Sequence, residues 1–135
     1  MLTLDPPISD AERAVAGFKR EQLLNVEAAI ILKAIEKTYV HAGDIPEDIV
    51  PADDRQGVAS GAWNGVVALE IIERLPLNFN DEDRKIFGGR TRNENPLARG
   101  RWVAVYRLRS MKLALTWLER NKPSLRPQDA QKQLL

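Results

Sequence analysis

The chain has 135 residues, about the length of one domain, and 20 Lys and Arg stand against 19 Asp and Glu, so a global charge argument for nucleic acid fails. It has no cysteine, which excludes disulfides, thiolate zinc sites and cysteine nucleophiles together. No apolar run approaches the roughly 20 residues of a membrane span. The start, Met1-Leu2-Thr3-Leu4, also lacks the basic residues and apolar stretch of a signal peptide, so a cytoplasmic protein with no membrane partner is expected.

Residues 1–8 read as a loose leader, with Pro6 and Pro7 opposing helix. Ser9 and Glu12 fit a capping box, and Ala11, Ala14, Val15 and Phe18 recur at helical spacing. Gly17 weakens this segment, and the apolar stripe changes phase near Arg20, where a break or bend is expected. The first helix reads as packing on its own domain more readily than as a dimer arm. Glu21 to Tyr39 is the strongest helix, with Leu24, Ala28, Ile31, Leu32 and Ile35 as its buried face.

His41, Ala42 and Gly43 stop that helix, His41 serving as a cap or surface group. Asp44 then starts a short second helix that turns Ile45, Ile49 and Val50 inward and ends at Pro51. Asp53 or Asp54 caps a third helix from Arg55 to about Leu69. Its inner stripe is Val58, Ala62, Val66 and Leu69, and its other face is small: Gly57, Ser60, Gly61, Asn64 and Ala68. Trp63, on its flank, reads as a seam residue.

Leu69 to Leu75 is a helix end running into a strand, followed by turn signals at 78–83, Gly88-Gly89 and 93–96. Arg101 to Leu108 alternates, which places Trp102, Ala104, Tyr106 and Leu108 on one, inward face. Ser110 caps a last helix with Met111, Ala114, Leu115 and Leu118 inside and Trp117 off the stripe, free to cover an interface. The arrangement divides into an arm over 1–20, one domain over 21–120 and a partly disordered tail over 121–135.

Charge is unevenly placed. From Arg84 to Arg109 there are Arg84, Lys85, Arg90, Arg92, Arg99, Arg101, Arg107 and Arg109 against the single acid Glu94. From Asp44 to Asp54 there are Asp44, Glu47, Asp48, Asp53 and Asp54 and no base. Clustered arginines with flexible glycines between them suit phosphate.

Helix, short helix, helix, strand, basic loop, strand, helix over about 21–120 resembles the winged helix-turn-helix superfamily. The stretch Ala68-Leu69-Glu70-Ile71-Ile72-Glu73-Arg74 is similar to its passage from recognition helix into first wing strand, with Glu70 where the family usually has glycine. The resemblance implies a mainly α fold with a small β-hairpin and extra helices at both ends. It implies double-stranded DNA as partner, met in the major groove by Arg55, Gln56, Ser60 and Asn64. It also implies a wing of Arg84, Lys85, Arg90, Arg92, Arg99 and Arg101 on the backbone or in the minor groove. Few base contacts per module favour a twofold homodimer. The style is that of a transcriptional regulator or an accessory factor of a phage or mobile element.

Other readings stand beside it. A charged hairpin is often only a solvated loop, and the small helix face equally suits a helix–helix contact. A protein–protein interaction module on the same fold, with no nucleic-acid binding, is favoured by the neutral net charge and the acidic second helix. RNA binding through the basic hairpin is a lesser alternative. Asp81, Glu82 and Asp83 fit a turn better than a metal site. With one histidine and no nucleophile–base pair or phosphate cradle, a non-enzyme without cofactor or metal is expected.

Overall fold

The computed structural model describes residues 10–50, 57–95 and 100–125, with the backbone alone for 10–19. The leader, the Ser9 cap, the side chains of Ala11 to Phe18, Asp53, Asp54, Arg55, Gln56, Arg99 and the tail beyond Leu125 lie outside the described residues. Among those described, three helices dominate, accompanied by a three-stranded antiparallel sheet and a separate two-stranded hairpin.

Helix α1 runs unbroken over Asp10–Lys37, so the break expected at Arg20 is absent. Here Val26, Ile30, Ile31 and Ala34 all join one core together with parts of α2 (Val58–Ala68) and α3 (Met111–Asn121). The helix ends at Thr38, which adopts a left-handed φ of 72° and donates its N–H to the Ala34 carbonyl at 2.9 Å.

Strand β1 (Tyr39–Val40) leads into a 3-10 turn at Ala42–Asp44. The expected second helix starting at Asp44 is not there. Asp44 closes the 3-10 turn, its carboxylate accepting from the His41 N–H at 2.9 Å, while the His41 side chain accepts from the Gly43 N–H. Pro46 and the turn at 47–49 follow, with Ile45 buried as expected.

Helix α2 buries Ala62 and Val66, as its spacing predicts, but Leu69 is 49% exposed. The chain leaves the helix one residue earlier than the stripe implies. Glu70 takes a left-handed φ of 62°, and the inward positions pass to Ile71 and Ile72. Strand β2 (Ile72–Arg74) begins at that turn.

The alternating run Arg101–Leu108 is two strands. Strand β4 (Trp102–Ala104) pairs with β3 (Arg90–Arg92), whereas β5 (Tyr106–Leu108) lies between β1 and β2 in the order β1-β5-β2. Val105 is where the partner changes. Its N–H donates to the Gly89 carbonyl at 2.9 Å and its carbonyl accepts from Leu75 at 3.0 Å. The Val105 side chain fills a second small core with Leu75 and Ile86 under the excursion that joins β2 to β5. Ser110 caps α3 as expected, accepting from the Leu113 N–H at 3.1 Å. Trp117 is buried with Ala114 and Leu118, which overturns its assignment to an exposed interface. The first core reaches further round α3 than a narrow stripe allows.

Candidate nucleic-acid interface

Trp63 of α2 stacks on Tyr106 of β5, and this sets how α2 rolls on the sheet. With Ala62 and Val66 beneath and Trp63 beside the sheet, Ser60 and Asn64 are left on the exposed side of the helix. They line a shallow cavity of about 200 Å³ with Ala42, Val103 and Ala104, so the outer face of α2 adjoins the hairpin strand β4. Arg90 lies directly across from Ala104 in the β3–β4 register. The small residues of α2 have a role inside the molecule. A Cβ placed on Gly61 would stand 3.7 Å from Leu23, and one on Gly65 would stand 3.5 Å from the Glu27 carboxylate, both on α1.

The cations of the excursion divide into two groups. Arg84 donates to Asp81 at 2.7 Å and lies over the Tyr39 ring, 4.8 Å from its centroid. Arg107 is paired with Glu73 across the β2–β5 ladder at 2.6 Å, and Arg109 with Glu70 at 3.8 Å. Arg84 and Arg107 are hydrogen-bonded to their carboxylates, while the Arg109 pair is longer and exposed. Lys85, Arg90, Arg92 and Arg101 are exposed and have no carboxylate partner among the described residues. The structure therefore separates Arg84 from the other described wing residues. Asp81 acts as a turn residue: it accepts from the backbone and side chain of Arg84, which holds its carboxyl below the usual range.

The hairpin does not stand clear of the domain. Asn93 is buried beside the 3-10 turn, and a Cβ on Gly43 would come within 2.7 Å of its side-chain oxygen. Thr91 faces the same way and donates to the Lys85 carbonyl at 2.9 Å. A cleft of about 630 Å³ runs between the end of α1, the 3-10 turn and the hairpin, with Lys33, Lys37, Lys85 and Arg92 on its walls. Asp44, the first of the acidic stretch, is neutralised there by the Lys37 ammonium. Desolvation keeps the His41 imidazole below its ordinary pKa despite the opposing pull of Asp44, and its Nδ1 accepts from Gly43 at 3.1 Å. His41 is a turn cap in this fold.

Trp102 does not pack inward. Its ring is 47% exposed, meets Phe87 edge to face and lies under the Arg92 guanidinium. The interleaving of Phe87 and Trp102 with arginines is the sequence signal that could have marked this patch. The assumption that 101–108 is one alternating strand assigned Trp102 to the interior.

No group of three or more metal-ligating side chains occurs among the described residues, and no described helix is long and apolar enough to cross a membrane. A scan of known protein families finds no match to this chain, and a search of solved structures finds none either.

Proposed function

We propose that this chain is a small winged-helix protein that binds duplex DNA, with the hairpin cations on the phosphate backbone and α2 supplying a few base contacts. The observation that carries this reading is the placement of Lys85, Arg90, Arg92 and Arg101. These are cations without acid partners among the described residues, on an excursion bordering the exposed Ser60–Asn64 face of α2. An unpaired surface arginine is available to phosphate, whereas one already held by a carboxylate must break that pair first. The order β1-β5-β2, with α2 immediately before β2 and the excursion between β2 and β5, supports the winged arrangement.

Asn64 would read an adenine edge, and Ser60 would contact a base or phosphate. Two candidate readers are too few for high selectivity, so binding led by backbone and groove shape is the expected mode, with a homodimer restoring specificity. The biological role proposed is transcriptional regulation, or accessory work in the replication or recombination of a phage or mobile element.

Fluorescence anisotropy of the purified protein with a labelled random duplex, titrated with salt, tests this. Affinity should fall steeply as salt rises, because each phosphate contact releases counterion. Absence of binding at low salt would remove the proposal in favour of a protein-interaction module. In that reading the small face of α2 with Trp63 would receive the partner, and the hairpin arginines would meet an acidic protein surface.

A further inference from the structure

One face of the β3–β4 hairpin carries more than phosphate chemistry. In the cross-strand register Arg92 faces Trp102 and Arg90 faces Ala104, so these four side chains share a face. Trp102 and Phe87 are 47% and 45% exposed, their ring centroids 6.4 Å apart with planes at 77°. The Arg92 guanidinium lies 5.2 Å from the Trp102 centroid. Arg90 and Arg92 meet no carboxylate among the described residues.

Two large rings left at the surface forgo burial that an inward turn would have given them. Along the run 102–105 the inward position falls on Val105, which leaves Trp102 on the outer side. Exposed aromatic faces flanked by arginines that no described carboxylate holds match a polyanion that also presents flat apolar faces. An acidic peptide would satisfy the arginines and leave the rings bare. A closed duplex keeps its base faces inside the stack. A nucleic-acid strand with an unpaired base uses both parts of the patch.

We infer that this hairpin face is a stacking site for an unpaired base of a single nucleic-acid strand, with Trp102 and Phe87 as the platform and Arg90 and Arg92 holding the flanking phosphates. The inference rests on the proposed nucleic-acid binding and specifies the form preferred there. The ligand it selects is single-stranded DNA, or the single-stranded side of a junction with duplex.

The test uses the full chain, a labelled oligothymidylate of about 12 nucleotides and a blunt random duplex, at one ionic strength. Wild type, Trp102→Ala and Trp102→Phe are compared after circular dichroism shows that each is folded. Trp102→Ala should weaken oligothymidylate binding by about tenfold or more and leave duplex affinity unchanged, while Trp102→Phe stays within about threefold of wild type. Oligothymidylate should also quench tryptophan emission in the wild type, and most of the quench should be lost in Trp102→Phe, because Trp117 is buried and Trp63 is half-buried with one face against Tyr106. Duplex binding without oligothymidylate binding overturns the stacking site and leaves the proposed function standing, as does an equal loss on both ligands in Trp102→Ala. Failure to bind either ligand overturns both, and capture of poly-glutamate in their place assigns the face to acidic protein.

Discussion

Trp63 lies nearly flat against Tyr106, with ring centroids 4.7 Å apart and planes 20° from parallel. One ring belongs to α2 and the other to the central strand β5, so the contact joins the helix that carries Ser60 and Asn64 to the strand that follows directly on the hairpin. Removing the ring loses both half-buried apolar area and stacking. Trp63→Ala should cost about 2 kcal/mol of unfolding free energy, and Trp63→Phe about 1 kcal/mol. Urea denaturation followed by circular dichroism measures both. Equal stability of wild type and Trp63→Ala would show that α2 is held by its inner stripe alone.

Glu27 is buried on α1 against Gly65 of α2, and desolvation raises its carboxyl pKa above the ordinary value. A carboxyl whose folded pKa is raised binds its proton more tightly in the native state than in the unfolded one. The native state is therefore penalised above the folded pKa, and the penalty is relieved as pH falls through that value toward the unfolded value of 4.5. Glu27→Gln should raise the melting temperature at pH 7 and lose most of that gain near pH 4. A gain that is the same at both pH values would show that the carboxylate is not strained by burial.

Two side-chain-bearing residues sit in the left-handed region where helices hand over to strands: Thr38 after α1 and Glu70 after α2. A branched side chain tolerates this conformation poorly. Thr38→Gly should stabilise the protein by about 1 kcal/mol. Glu70→Gly should do so by about 0.5 kcal/mol, because its exposed pair with Arg109 contributes little. Thermal unfolding of the two single variants decides the matter, and destabilisation of both would show that the side chains matter more than the backbone.

Gly89 has a φ of 71°, and a Cβ there would lie 2.6 Å from the Pro76 carbonyl oxygen and 2.8 Å from that of Leu75. Both obstacles are backbone and cannot swing aside. Gly89→Ala should cost about 2 kcal/mol or more, concentrated in the hairpin. Hydrogen exchange should quicken at Val105 and Asn93, whose N–H groups are tied to Gly89 and Arg101, and stay slow at Ile30 and Ile31. Uniform acceleration across the chain would show that the hairpin and the main core unfold as one unit.

The helical parts of the fold were largely legible. Ala28, Ile31 and Ile35 on α1, Ala62 and Val66 on α2, and Ala114 and Leu118 on α3 are buried where three- and four-residue spacing places them. Ser110 caps as its chemistry dictates. The losses have a common physical source, which is tertiary contact that local pattern does not encode. Trp117 is buried because the core extends past the stripe, and Trp102 is exposed because hydrogen-bond partners change at Val105. Asp44 does not start the expected second helix because it closes the 3-10 turn over 42–44, its carboxylate accepting from the His41 N–H, and a turn at 47–49 stands in the helix's place. At the candidate site, composition marked the basic excursion. It could not separate Arg84, Arg107 and Arg109, which are held by Asp81, Glu73 and Glu70, from the arginines that are unpaired. That distinction depends on strand register and turn geometry.

The most direct measurement compares the salt dependence of duplex binding for wild type and the Arg90→Ala/Arg92→Ala variant, by anisotropy over the same salt range. Each phosphate contact contributes about −0.9 to the slope of log affinity against log salt, so the double variant should be shallower by about 2 and weaker on every duplex sequence. A folded double variant with the wild-type slope, or a wild type that does not bind at low salt, would contradict the assignment of the hairpin to nucleic acid.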